Sequence, residues 1–313
     1  MKLQTLFTSL VLMIAIQASA QNVRKIVVNE RDDISGYYLA MEPQLRAGEP
    51  IRGVLVLLSG FSQLAEHTFP ETKLPNVAYA NGILTVCFAG GFRAHYDNEL
   101  GEAMTAMFKD IVKRYNVGAD KFVLGGFSAG GGIVLRYTEL CNEYPERYPI
   151  KPKAVFMVDS PIDIFTLWDM LDEAAKANFS EAAVQEANEA MRRMREQFGV
   201  PKENVVKYAA LNPFSMNKAF GENEKYLKNT AVRAYHEVDI AWRLVNRRQT
   251  VRHGNYLVTA ELINRLLLMG NDKAEFMQSE RKGYRSNGMR HPHSWSIVDE
   301  AECISWVKTI LGQ

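Results

Sequence analysis

Cysteine is scarce in this chain: Cys87, Cys141 and Cys303 are the only three, far apart and odd in number. That excludes a disulfide framework. No C-x-x-C pair or Cys/His cluster offers a structural metal site either. Each cysteine lies in an apolar stretch and is expected to be a small buried hydrophobe. Net charge is almost absent, with 37 basic residues against 36 acidic ones, a formal +1. So even a balance leaves no electrostatic footprint for nucleic acid or an anionic membrane. Beyond residue 20 no apolar run is long enough to span a bilayer. Internal repeats and low-complexity tracts are missing too.

What is present begins with a segment that reads as a leader. Lys2 supplies a positive start, Leu6 to Ile16 is mostly apolar, and Ala18-Ser19-Ala20 has the small-x-small form of a cleavage site. The expectation is a signal peptide over residues 1–20, with Gln21 as the new N-terminus and a periplasmic or secreted product. No cysteine follows the cleavage point, so lipid attachment is not indicated. The remaining 21–313 suits one large α/β domain.

Along that domain, apolar runs alternate with helical periodicities. Lys25 to Val28 and Gly36 to Met41 read as a hairpin at a sheet edge. Gly53–Leu58, Ile83–Phe88, Phe122–Leu124 and Ala154–Val158 are continuous apolar runs, the pattern of strands covered on both faces. Val232–His236 and Ala274–Gln278 complete about eight strands. Helical spacing marks Glu99–Tyr115, the stretch from Ile133 to Cys141, Asn255–Leu268 and Trp295–Leu311. The order implies a mostly parallel, doubly wound sheet. About seventy residues separate the strand at Ala154 from the one at Ala231, too many for a simple crossover. Inside them Val184, Ala187, Met191, Met194 and Phe198 form an amphipathic stripe, with Ser180 placed to cap it and Gly199 to stop it. Its charges are mixed and imply neither an acidic nor a basic substrate.

The chain is organised around Lys121–Gly132. A short apolar strand runs straight into Gly126-Phe127-Ser128-Ala129-Gly130 and then into helical spacing. A serine on so sharp a strand-to-helix turn sits in a strained backbone. The residues two places either side must be tiny, because strand and helix nearly collide there. The following helix offers its N-terminal amides to a developing oxyanion. A phosphate-binding loop is excluded, since no Lys-Ser/Thr follows Gly130, and the G-x-G-x-x-G order of a dinucleotide site is missing.

At these residues the chain resembles the α/β-hydrolase superfamily, and the resemblance follows the element order through 21–313. It implies an α/β-hydrolase sheet, a helical lid over residues 162–229, and an exported serine hydrolase that needs no cofactor and no metal. The oxyanion donors would be the amides of Phe61, in the Ser59-Gly60-Phe61-Ser62 loop after Leu58, and of Ala129, with Ser62 as the rival to Phe61. The superfamily's order of nucleophile, acid, histidine implies His293 as the base, over His291. The His293-Ser294-Trp295 ending is similar to that of secreted carbohydrate-ester and polyester esterases, which favours an ester, carried by a small molecule or a carbohydrate. For the acid, Asp239 after the strand at Val232 is the expected residue, with Asp159 and then Glu237 behind it. Asp163, Asp272 and Asp299 read as caps or solvated charges, and His236 as a strand residue with a satisfied ring. His291-Pro292-His293 as a metal pair lacks a nearby carboxylate or cysteine. A non-catalytic binding protein and a serine peptidase of the same fold stay open as alternatives.

Overall fold

The computed structural model describes residues 21–46 and 48–313. The expected leader, residues 1–20, lies outside the described residues.

Among the described residues eight strands form one sheet: β1 (Val23–Val27), β2 (Tyr37–Met41), β3 (Gly53–Leu58), β4 (Ile83–Phe88), β5 (Phe122–Phe127), β6 (Ala154–Val158), β7 (Ala231–Glu237) and β8 (Ala274–Ser279). Their order is β1-β2-β4-β3-β5-β6-β7-β8. β1 and β2 are the antiparallel edge hairpin and β2 meets β4 antiparallel; every pair from β4 to β8 is parallel. The reason for the all-apolar runs is visible in β3. Val54, Val56 and Leu58 join the core on one face of the sheet, while Leu55 and Leu57 join the core on the other. Every residue of β3 is buried, so alternation of polar and apolar has no place there.

Ten α-helices among the described residues surround the sheet: α1 (Thr68–Glu71), α2 (Leu74–Ala80), α3 (Asn98–Tyr115), α4 (Ala129–Glu143), α5 (Ile164–Ala177), α6 (Glu181–Phe198), α7 (Val205–Leu211), α8 (Ile240–Arg247), α9 (Tyr256–Leu268) and α10 (Glu300–Ile310). The long crossover is helical, built from α5, α6 and α7. The stripe of α6 buries Ala187, Ala190, Met191 and Met194, and Gly199 ends that helix at φ 84°. Asp163 caps α5 through the Phe165 amide. The chain after Ser294 departs from one continuous helix. A 3-10 turn, Trp295–Ile297, is followed by a break, and Asp299 then caps α10 by accepting from the Glu302 amide. The short acidic side chain competes for the backbone and starts a new helix there.

From β3 the chain moves to β4 on one side, and β5 lies on the other. This reversal opens a crevice at the carboxyl ends of β3 and β5, where ligands collect in open α/β sheets. The loop after β3 carries Phe61 and the turn after β5 carries Ser128.

Candidate active site

Strand register brings the central residues together. In the β5–β6 ladder Phe127 pairs with Val158, and in the β6–β7 ladder Val158 pairs with Tyr235. The next residue of each strand is Ser128, Asp159 and His236. Two further backbone bonds hold that row: the Ser128 amide donates to Val158 O at 2.9 Å and the Asp159 amide to Tyr235 O at 2.9 Å. Both Ser128 (φ 53°) and Asp159 (φ 43°) sit in left-handed space, a strained backbone for residues with a Cβ.

The glycines around Ser128 are required by close approach. A Cβ on Gly126 would stand 2.3 Å from the Gly130 carbonyl carbon. One on Gly130 would stand 2.4 Å from Ser59 O and 2.5 Å from Leu58 O. These neighbours are backbone and cannot step aside. The strand-to-helix collision inferred from G-x-S-x-G is therefore present in the fold.

His293 reaches this row from the loop after β8. Its Nε2 lies 3.0 Å from Ser128 Oγ and its Nδ1 2.7 Å from Asp159 Oδ2. A carboxylate only accepts, so Nδ1 carries the proton and Nε2 accepts from the serine hydroxyl. The Phe127 ring packs 4.7 Å from the imidazole, centroid to centroid, and limits its movement.

The carboxylate at His293 is Asp159, and Asp239 is elsewhere. Asp239 caps α8 by accepting from the Trp242 amide at 2.9 Å, and its other oxygen accepts from Arg290 at 2.8 Å. β7 stands one strand farther from β5 than β6 does, which leaves Asp239 beyond the row. Glu237, the third candidate, is also occupied. It accepts from the amides of Arg281, Lys282 and Gly283 and from Arg290. Those bonds shape the loop that delivers His293.

Two further residues, His236 and Asn255, bond Asp159. His236 donates from Nδ1 to Asp159 Oδ1 at 3.1 Å, and its Nε2 lies 2.6 Å from the Thr259 hydroxyl. Asn255 donates to Asp159 Oδ1 at 3.2 Å and to its carbonyl at 2.9 Å. Asp159 is buried, which alone would raise its pKa. The two imidazoles reverse that and hold it well below the usual carboxylate range. His236 is thus a satisfied buried ring whose partner is the central carboxylate. Nothing in the sequence around Asn255 marks it, since its role depends on where α9 begins relative to β6.

On the crevice side, Gly60 approaches within 3.3 Å of Ser128 Cβ when an ideal Cβ is placed on it, so the loop after β3 lies beside the serine. The Ser62 amide is engaged by Gly91 O at 2.8 Å. The amides of Phe61 and Ala129 donate to no protein group among the described residues. Ala129 is the first residue of α4, whose early amides have no intrahelical acceptor. His291 stays apart from the serine: its Nε2 accepts from Arg247 at 2.9 Å and its ring packs on Trp242. Burial, reinforced by His293 and two arginines, pushes its pKa down to about 3. Among the described residues no group of three or more His, Cys, Asp or Glu is placed to hold a metal. No helix among them is long and apolar enough to cross a membrane.

No protein-family model and no curated protein matches the chain. Solved structures do. An esterase/lipase from an uncultured bacterium aligns with TM-score 0.56 at 12% identity, over 95% of this chain and 87% of its own. Esterase B from Lactobacillus rhamnosis aligns with TM-score 0.56 at 11% identity, over 93% and 86%. A fluorophosphonate-binding serine hydrolase F from Staphylococcus aureus aligns with TM-score 0.53 at 9% identity, over 93% and 99%. Together with the eight-stranded sheet and its flanking helices, these likenesses place the chain in the α/β-hydrolase fold.

Proposed function

We propose that the protein is a serine hydrolase that cleaves esters through an acyl-enzyme on Ser128. The observation that carries this reading is the unbroken chain Ser128–His293–Asp159 on a strained strand-to-helix turn. Three of its structural neighbours are described as esterases, lipases or serine hydrolases.

In the proposed cycle Ser128 Oγ attacks the ester carbonyl and its proton passes to His293 Nε2. Asp159 holds the Nδ1–H tautomer and stabilises the imidazolium. The amides of Phe61 and Ala129 bind the oxyanion, where loss of one donor typically costs about 3 kcal/mol. The intermediate collapses, the carbon–oxygen bond to the alcohol breaks, and the alcohol leaves with the proton from His293. A water then repeats the attack on the acyl-enzyme, giving its proton to His293, and the acid leaves as Ser128 recovers its own. An ester is favoured over an amide by the His293-Ser294-Trp295 ending.

The reading includes export, from the leader pattern at residues 1–20, and a lid formed by residues 162–229. In support of the lid, α6 of that segment places Arg193 4.4 Å over the Phe92 ring, and Phe92 packs edge-on against Phe61 at 5.9 Å.

One labelling experiment tests all three parts. A fluorophosphonate probe should label wild type and leave Ser128→Ala unlabelled. The intact mass of the labelled exported protein should begin at Gln21. Bound probe should slow proteolytic nicking within 162–229. Equal labelling of both proteins sinks the serine assignment, a retained Met1 sinks the leader, and unchanged nicking sinks the lid.

A further inference from the structure

Two cations near His293 lack a carboxylate. Arg290 is neutralised by Glu237 and Asp239. Arg285 and Arg247, which both act on His291, form no ion pair among the described residues. The Arg285 guanidinium lies 5.2 Å over the Phe127 ring, which packs on His293 and immediately precedes Ser128. Its side chain makes no hydrogen bond among the described residues, although it is half-buried. Its backbone is held in a turn, with its amide donating to Met289 O and its carbonyl accepting from Gly288, both at 2.9 Å. Arg247 stands across His291, spending one donor on Nε2, and the His291 ring is 6.2 Å from that of His293. Both guanidiniums thus border the His291–His293 segment, each with donors to spare.

This arrangement costs stability. Burial lowers the Arg285 pKa and the positive field of Arg247 lowers it further, while the nearby carboxylates of Glu71, Glu186 and Asp159 offset only part of that effect. Glu71 forms no ion pair with Arg285 among the described residues: its Oε1 accepts from the Ser286 hydroxyl at 2.5 Å and the Ser286 amide at 3.3 Å, and its buried Oε2 has no hydrogen-bond partner among them. A half-buried cation with a perturbed pKa and unspent donors, beside a nucleophile, marks a place where an anion can bind. Arginine's planar fork suits a carboxylate in two-point contact better than lysine's point charge.

We propose that Arg285 and Arg247 bind a free carboxylate carried by the ester substrate, so that the site selects acidic esters. This rests on the serine-hydrolase reading. The carboxylate lies on the acyl or the alcohol side of the scissile bond, and the test contains an arm for each. The acyl arm compares 4-nitrophenyl hydrogen glutarate with 4-nitrophenyl pentanoate. The alcohol arm compares 4-acetoxybenzoate with phenyl acetate.

In one of the two arms wild type should favour the charged ester by about tenfold or more in kcat/KM, the scale of one charge-assisted contact. That preference should shrink as salt rises, by screening of an exposed-side charge pair. Arg285→Gln should lower the charged-to-neutral ratio by at least about fivefold, and Arg285→Lys should restore part of it. The ratio is unaffected by the fraction of folded enzyme, and the wild-type comparison needs no variant. A wild-type ratio near one in both arms, with the neutral esters turned over, overturns the inference and leaves the hydrolase reading standing. Turnover of no ester, with Ser128 unlabelled by fluorophosphonate, overturns both.

Discussion

Asp159→Asn should lower kcat by about ten-thousandfold while the protein stays folded, the usual effect of replacing a triad carboxylate by its amide. The direction of the amide follows from the hydrogen bonds. Among the described residues Oδ1 accepts from two donors, His236 and Asn255, whereas Oδ2 accepts from His293 alone. The amide oxygen therefore takes the Oδ1 place, and the new NH2 faces His293. An NH2 can only donate, so Nδ1 of His293 must accept and its proton moves to Nε2. That tautomer cannot take a proton from Ser128.

Asp239→Asn makes the contrast. Asparagine caps a helix about as well as aspartate, so α8 keeps its cap. Only the charge facing Arg290 is lost, and Glu237 still pairs with that arginine. Turnover should stay within about tenfold of wild type, since no atom of Asp239 bonds to the histidine or the serine. Steady-state kcat for both variants, with circular dichroism as the folding control, checks this. A dead Asp239 variant beside an active Asp159 variant would sink the placement.

Arg136→Leu should give the largest loss of stability, about 3–5 kcal/mol. Arg136 lies on α4, the helix that starts at the serine turn. It is buried, donates to Glu139 at 3.0 Å, and donates to Ala210 O on α7 at 3.0 Å. It thus ties the long insertion to the helix behind the nucleophile. Glu139 is fully buried, and that burial raises its pKa well above the usual carboxylate range; Arg136 partly offsets the rise. Without the arginine the rise grows. A raised folded pKa means the native state binds the proton more tightly than the unfolded chain. Stability then falls as pH climbs above the unfolded value of about 4.3.

The deficit of Arg136→Leu should accordingly be larger at pH 8 than at pH 5. Adding Glu139→Gln should recover most of it at pH 8, because the buried charge is gone. Urea unfolding of wild type, the single variant and the double variant at both pH values measures each term. A single variant as stable as wild type, or a double variant no better than the single, would refute the account.

Much of the fold is local pattern, and that part was legible. Continuous apolar runs marked β3, β4, β5 and β6, because those strands are buried along their whole length. G-x-S-x-G named Ser128 because the turn leaves no room for a Cβ at either glycine: Gly126 is excluded by atoms of the turn itself, Gly130 by the end of the neighbouring strand β3. His293 was legible from its place between the last strand and the last helix. The single helix expected over Trp295–Leu311 is instead broken before Asp299, which carries its own helix-start signal.

The acid was not legible, and the cause is distance along the chain. Asp159 and Asp239 each follow a parallel strand and Glu237 ends one, and the resemblance put Asp239 ahead of Asp159 and Glu237. His293 meets Asp159 across 134 residues. That meeting is decided by sheet order, which sets β6 directly beside β5, and by Glu237, which anchors the returning loop so that the imidazole falls over β6. The sequence by itself determined which side chains stand at strand ends. Only the tertiary structure decided which of them meet, because pairing between strand ends is set by hydrogen-bonded register across the sheet, and no short stretch of chain encodes that register.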